Sequence, residues 1–260
     1  MSNIINVIKV GGAVVEDPRL CHSLLKSFAS MPGERILVHG GGRTATAMAA
    51  KLGIETKMAE GRRITDEAML EVVTMVYGGL VNKRVVSLLQ SLGVNAIGLT
   101  GADLECIRAH KRPVKTIDYG FVGDVDGINP LAFKTLLGLG AVPVVAPLSF
   151  DKDNGLLNTN ADTIATEVAK GMAKSDSMTK VILTFCFEKK GVLADPDDED
   201  SVISVIDREI YASLKADGIV SGGMIPKLDN AFAALDAGVA EVMITNAAEL
   251  GKGTGTVIRL

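Results

Sequence analysis

The sequence has little cysteine, little histidine and no excess of positive charge, and each shortage closes off a class of function. Cys21, Cys106 and Cys186 are odd in number, far apart and free of any CxxC spacing. They read as reduced thiols of a cytoplasmic protein rather than a disulfide framework. Three histidines with no ligand-like cluster argue against a zinc centre, and the adjacent Cys21 and His22 read as a helix residue beside an exposed imidazole. A net charge of -4 and a pI near 5.5 argue against nucleic acid, whose binding needs a basic face. No uninterrupted apolar run approaches the roughly eighteen residues of a membrane span. The opening "MSNIINVIKV" has none of the basic start, long apolar stretch and small-residue cleavage site of a secretory leader. Two nucleotide signatures are missing as well. There is no GxxxxGK[ST], and no GxGxxG follows a strand and opens a helix; "GKGTGT" (251–256) comes nearest but leads into a terminal strand. The acidic run "DPDDED" (195–200) lacks the turn glycine of an EF-hand loop and reads as a solvated loop.

What is present is ordered alternation. The chain has 260 residues, 47% apolar and 22% charged, enough for one large domain or two fused lobes. Apolar, β-branched runs at 4–10, 35–39, 94–99, 142–147, 180–187 and 240–245 predict strands. Amphipathic patterns near 18–30, 44–53, 66–92, 130–138, 161–174, 207–216 and 227–238 predict helices between them. This alternation predicts an α/β fold with a mostly parallel sheet covered by helices on both faces. The segment 105–127 reads instead as short strands with tight turns, a hairpin excursion from the main sheet. No repeat period and no low-complexity linker interrupts the pattern.

Three glycine clusters follow strands, where a sheet of this kind binds its ligands. Gly11-Gly12 ends "VIKVGG", Gly40-Gly41-Gly42 follows strand 35–39, and "SGGMIPK" (221–227) leads into a helix headed by Lys227. Glycine lets the backbone approach an anion, and helix N-terminal N–H groups then point at it. Lys9 is an ammonium at the end of an apolar strand, a costly position without a partner or a ligand. "NTNAD" (158–162) offers a carboxylate in Asp162, with Asn158 and Asn160 as directional donors and acceptors. A carboxylate between Lys9 and Lys227 would aim both ammonium groups at one point, an arrangement suited to phosphoryl transfer. The alternative for the same residues is a snorkelling Lys9, an N-capping Asp162 and a surface Lys227.

The order "KVGG" (9–12), "HGGG" (39–42), "GRRIT" (61–65), "NTNAD" (158–162) and "GGMIPK" (222–227) resembles the amino-acid kinase family along the whole chain, and most specifically its acetylglutamate branch. The resemblance implies a three-layer α/β/α sandwich, a single domain with an acyl-amino-acid and dimerisation lobe over 1–175 and a nucleotide lobe over 176–260. It implies ATP-dependent phosphorylation of the γ-carboxylate of N-acetyl-L-glutamate, with Mg2+ riding on the ATP phosphates. Lys9 and Lys227 would then be catalytic, with Asp162 orienting both. Gly11, Gly12 and Gly41 would offer N–H groups along the phosphoryl path. Gly41, Gly42, Asn158 and Asn160 would hold the substrate, and Arg63 its α-carboxylate by a bidentate pair. Gly11, Gly12, Glu188, Gly223 and Met224 would serve the nucleotide, and Arg62 would be a solvated surface charge. No general base is needed, because the acceptor carboxylate is already ionised, and His39 would order the glycine loop.

The chain departs from the family's usual Ser/Thr-Asp-Val-x-Gly stretch in "LTFCFEKKGVL" (183–193), with Phe187 for the hydroxyl residue and Glu188 for aspartate. Lys9 lies eight residues from the start, which leaves no room for the N-terminal helix of arginine-inhibited members. A homodimer without arginine feedback is expected, its interface in 66–92 through Met69, Val73 and Val76, the alternative for these residues being burial in their own subunit's core. Two rivals stay open. One is a kinase for another carboxylate, N-succinyl-L-glutamate above all, served by Lys111, Arg112 or Lys115. The other is a non-catalytic metabolite-binding protein on the same fold.

Overall fold

The alternation of strand and helix patterns becomes, in the computed structural model, one central sheet between two helical layers. The structure describes residues 4–195 and 197–260, so the first three residues of the opening stretch and Pro196 of the acidic run lie outside the described residues. Strand β1 (Ile4–Val10) leads through a one-turn helix α1 (Gly12–Glu16) and α2 (Pro18–Ser30) to β2 (Glu34–His39), after which α3 (Gly42–Lys51) begins. A small ribbon, β3 (Met58–Ala59) and β4 (Arg62–Arg63), precedes a long helical passage: α4 (Glu67–Val73), a π-helical segment (Thr74–Val81) and α5 (Asn82–Ser91). Then come β5 (Ala96–Leu99), β6 (Ile107–Lys111), β7 (Gly123–Ile128), α6 (Pro130–Gly138), β8 (Val142–Val145), β9 (Leu148–Asp151), β10 (Gly155–Asn158) and α7 (Ala161–Ser175). The chain closes with β11 (Lys180–Phe187), β12 (Val205–Ile206), α8 (Arg208–Ala216), α9 (Met224–Asp236), β13 (Glu241–Asn246) and β14 (Thr256–Ile258).

Eight strands form the main sheet in the order β12-β14-β13-β11-β1-β2-β8-β5, with every pairing parallel except β13 with β14. The expected hairpin excursion forms a separate four-stranded sheet, β10-β9-β6-β7. Local chemistry sets the helix starts. Asp17 caps α2 by accepting from the N–H groups of Arg19 and Leu20, with Pro18 at the first position. Asn129 with Pro130, Asn160 and Asp207 do the same for α6, α7 and α8. The helix expected from Lys227 starts earlier, at Met224, which leaves Lys227 in its first turn.

Period two along β1 sorts its side chains between the layers. Ile5 and Val7 meet the face covered by α6, α7 and α9, and Ile8 and Val10 meet the face covered by α2 and α5. Lys9 therefore shares the α7 face. Ile164, Val168 and Met172 of α7 are fully buried there, each contributing about 1.5–3 kcal/mol, and this burial determines where the N-terminus of α7 stands.

The passage Glu67–Ser91 is long and apolar enough by composition to cross a bilayer, although charged residues interrupt its apolar runs. Met69, Val72, Val73, Val76, Val81, Val85 and Leu89 are nevertheless buried in the protein's own core. The same burial corrects the expected dimer contact. Met69, Val73 and Val76 are at most 1% exposed and pack against Ala45, Ala49 and Leu148 within one subunit.

Candidate active site

The parallel strands β1, β2 and β11 bring their carboxyl ends together, and with them the glycine clusters and the charged residues. Lys9, 6% exposed, reaches Asp162 in the first turn of α7, with Nζ 2.7 Å from Oδ1. Desolvating either charge alone would cost several kcal/mol, so each makes the other's burial tolerable. Of the two lysines that Asp162 is expected to orient, Lys9 alone is in contact with it, and Lys227 is held otherwise. It has no carboxylate in ion-pair contact among the described residues, and its ammonium lies 4.4 Å from the centroid of the Phe187 ring. Burial pushes the Lys227 pKa down, against the upward pull of Asp162, while Lys9 adds to the lowering.

The glycine loops divide into used and free donors. The Gly11 N–H donates to the Cys186 carbonyl at 3.0 Å. This extends the β1–β11 ladder and takes Gly11 off the expected list of phosphoryl-facing donors. Gly12 opens α1 and Gly42 opens α3, so their N–H groups have no intrahelical acceptor. A Cβ on Gly12 would sit 3.2 Å from the Gly41 nitrogen, and one on Gly40 would sit 2.8 Å from the Gly12 nitrogen. The two loops thus touch backbone to backbone, and the donors of Gly12, Gly41 and Gly42 gather in one place, a setting for an anion. Glu16 holds this junction: its Oε1 accepts from the Thr44 N–H at 2.7 Å and the Thr44 hydroxyl at 2.8 Å. No local pattern in the sequence announces that bond, because its partners are 28 positions apart.

His39 stiffens the loop from below. It is fully buried; its Nδ1–H donates to the Gly40 carbonyl at 2.7 Å, and Nε2 accepts from the Asn82 amide at 3.1 Å. These partners suit only the neutral ring, and burial pushes its pKa down to about 4, the Gly40 bond opposing. Above the usual value near 6.5 the ring is neutral folded or unfolded, and its contribution to stability is complete. As pH falls from about 6.5 towards 4, the unfolded chain takes up a proton that the folded one refuses, so about 3 kcal/mol of stability is lost across that window. Urea midpoints measured between pH 7 and 4 should show this slope. His39→Gln should flatten it; an unaltered slope in that variant would show that other groups produce it.

Beside the glycines lies a cleft of about 240 Å³. Gly41, Gly42, Arg63, Asn158 and Asn160, all expected at the substrate, line it. Arg63 is already docked: Nη2 donates to the Gly42 carbonyl and to Thr46 Oγ1, each at 2.9 Å, and Nη1 to Thr56 at 3.3 Å. A bidentate carboxylate would have to replace some of these partners. Asn160 uses its side-chain oxygen to cap α7, accepting from Asp162 and Thr163, which leaves the amide N–H groups for a ligand. Asn158 donates to Thr65 Oγ1 at 2.9 Å. Arg62, expected as a plain surface charge, is exposed but stands on the cleft wall. Tyr77 was not foreseen. It lies in the π-helical segment, lines the cleft and packs so closely on Gly41 that a Cβ there would be 3.1 Å from its ring. The helical period of 66–92 does not set it apart from its apolar neighbours.

The expected nucleotide residues are more scattered. Glu188 follows β11, 58% exposed and 4.0 Å from Arg43, and its carbonyl accepts from Asn246 at 2.6 Å. Gly223 caps α9, but the Met224 N–H is taken by the Ser221 carbonyl at 3.1 Å, which removes it as a donor to phosphate. Taken together, two ammonium groups and three backbone donors gather at the strand ends, and a guanidinium stands on the wall of the neighbouring cleft. That set stabilises negative charge on a transferring group and a bound acid.

Comparison with known proteins agrees with this chemistry. The acetylglutamate kinase of Phocaeicola vulgatus is 56% identical over 259 residues, covering 100% of both chains. That of Parabacteroides distasonis is 57% identical over 250 residues, 96% of this chain and 97% of its own. A crystal structure from Streptococcus mutans UA159 superposes with a TM-score of 0.81 at 28% identity, covering 99% of each chain. The sequence also matches the amino acid kinase family over residues 5–246. By sequence across nearly its full length and by its three-layer architecture, the chain belongs to the amino acid kinase family.

Proposed function

We propose that the protein transfers the γ-phosphoryl group of ATP to the γ-carboxylate of N-acetyl-L-glutamate, the second step of arginine biosynthesis. The observation that carries this is the gathering of Lys9, Lys227 and the Gly12, Gly41 and Gly42 donors at the carboxyl ends of β1 and β2, next to a cleft with Arg63 on its wall. Relatives of over 50% identity that bear the name acetylglutamate kinase support the same substrate. In the proposed step a carboxylate oxygen forms a bond to the γ-phosphorus while the bond to the β-phosphate bridging oxygen breaks, and ADP leaves. The attacking group is an anion and so is its target, so the barrier is electrostatic, and no proton has to be removed. Lys9 and Lys227 would neutralise the transferring group, with Asp162 holding Lys9. Gly12 and Gly41 would donate along its path. Gly41, Gly42, Asn158 and the Asn160 amide would hold the acylated amino acid, and Arg63 its α-carboxylate.

Glu188 and Gly223 would face the nucleotide. The donor set around the crevice suits anions, so Mg2+ would arrive on the ATP phosphates, as a hard cation that keeps phosphate and water ligands. Three buried, unpaired thiols support a reducing, cytoplasmic setting. A homodimer would need contacts other than Met69, Val73 and Val76; Met75, 53% exposed, is an apolar side chain available on the same helical passage.

Arg112 bears on the acyl group. It lines the cleft, as a residue serving a charged acyl group would, but Asp124 holds it by bonds of 2.6 and 3.0 Å. A succinyl carboxylate would have to displace that partner, whereas an acetyl methyl would not. The test is ATP-dependent acyl-phosphate formation, trapped as the hydroxamate, with N-acetyl-L-glutamate, N-succinyl-L-glutamate, L-glutamate and L-aspartate compared. Turnover of the acetyl compound above the others is expected. Preference for the succinyl compound would move the substrate and keep the chemistry, and silence with all four would overturn the enzyme reading.

A further inference from the structure

Phe187 ends β11 on the face of the sheet that carries Lys9. Its ring stacks on Phe185 with 6.2 Å between centroids and 6° between planes, and it lies against Gly11, where a Cβ would be 3.6 Å from Cδ1. Phe185 therefore supports the ring on one side, while the missing Cβ of Gly11 leaves room on another. Lys9 Nζ stands 4.7 Å and Lys227 Nζ 4.4 Å from its centroid. Among the described residues, two ammonium groups thus share a site with one carboxylate, Asp162, which is in ion-pair contact with Lys9 and not with Lys227. The second cation needs negative density from elsewhere, and the face of an aromatic ring supplies it.

We infer that Phe187 is a positioning residue, whose ring face holds the Lys227 ammonium beside Lys9 in place of a second carboxylate. The physical advantage is specific to phosphoryl transfer. A second carboxylate would hold Lys227 more tightly, repel the incoming triphosphate and have to be displaced by it. A ring face attracts the ammonium without carrying net charge, so phosphate oxygens meet a cation already in place and free to bind. The consequence for turnover rests on the proposed function, but the contact itself does not.

The test compares the protein with Phe187→Leu and Phe187→Tyr, using two readouts. In the free protein, the pH dependence of Lys227 modification by a water-soluble acylating reagent is followed by mass spectrometry. The charged groups acting on Lys227, namely Asp162 and Lys9, are unchanged in both variants. Loss of the ring should move the Lys227 midpoint down by about one pH unit in Phe187→Leu and leave it in place in Phe187→Tyr. In the hydroxamate assay kcat should fall about tenfold in Phe187→Leu with KM for the acyl-amino acid unchanged, and Phe187→Tyr should retain it. Identical midpoints in the protein and a folded Phe187→Leu would overturn the contact, and a shifted midpoint with unaltered kcat would overturn its role in turnover. Should Phe187→Leu lose its cooperative melting transition, a ring-fluorinated phenylalanine at the same position, similar in shape but poor in π density, takes its place. Inactivity of the parent protein toward every carboxylate would sink the proposed reaction, and the Lys227 midpoints would still decide the ring contact.

Discussion

Lys9→Ala should lower kcat for acyl-phosphate formation by about three orders of magnitude while leaving KM for the acyl-amino acid within a few fold. Removal of a single well-placed donor to a charged transition state costs about 100- to 1000-fold. Lys9 stands at the upper end because it is a full charge, 6% exposed, in a site that it shares, among the described residues, with one other ammonium. The low-dielectric surroundings that make the Lys9 ammonium costly to bury also make its field on a phosphoryl oxygen strong. KM should move little because Lys9 faces the strand ends and Asp162, whereas the residues that line the cleft are others. Steady-state kinetics at saturating ATP would check this, with a melting curve to establish that the variant is folded. An unaltered rate would remove Lys9 from the mechanism.

Asp162→Ala should be the most destabilising single change in the site, by about 3–5 kcal/mol, because it strands the Lys9 ammonium in a buried position. The side chains of the pair are 8% and 14% exposed, so water offers little compensation. Asp162→Leu combined with Lys9→Met should recover most of that loss, since a packed apolar pair replaces the ion pair without leaving a charge behind. Activity should not recover. Urea unfolding with an unchanged slope would measure both stabilities, and the hydroxamate assay the activity. A double variant as unstable as Asp162→Ala would show that the ion pair is not what that variant loses. Recovery of stability without turnover would separate the cost of holding the charges from their use.

Much of the fold is legible in the sequence. The strands at 4–10 and 180–187 match β1 and β11 to the residue, because a strand buried on both faces writes itself as an unbroken apolar run. The pairing of Lys9 with Asp162 was legible for a similar reason, since a lysine in such a run requires a partner. Shorter elements were not. β3, β4 and β12 span two residues each, too few to carry a period. The passage over 66–92 reads in sequence as one helix because its apolar spacing tolerates the π-helical turn at Thr74–Val81 that brings Tyr77 under Gly41.

The alternation of elements, the faces of β1 and the set of residues able to handle an anion can be read along the chain, because each is a matter of local period and residue chemistry. Which donors and charges are free is a matter of packing. Gly11 gives its N–H to Cys186 and Met224 to Ser221, Arg63 is docked on Gly42 and Thr46, and Met69, Val73 and Val76 face inward. The same holds for Lys227, which rests on Phe187 rather than on Asp162. Which partner a group finds depends on how α7 and α9 pack across the sheet from β1 and β11. That packing sums many weak apolar contacts from distant parts of the chain, and no local stretch of sequence records it.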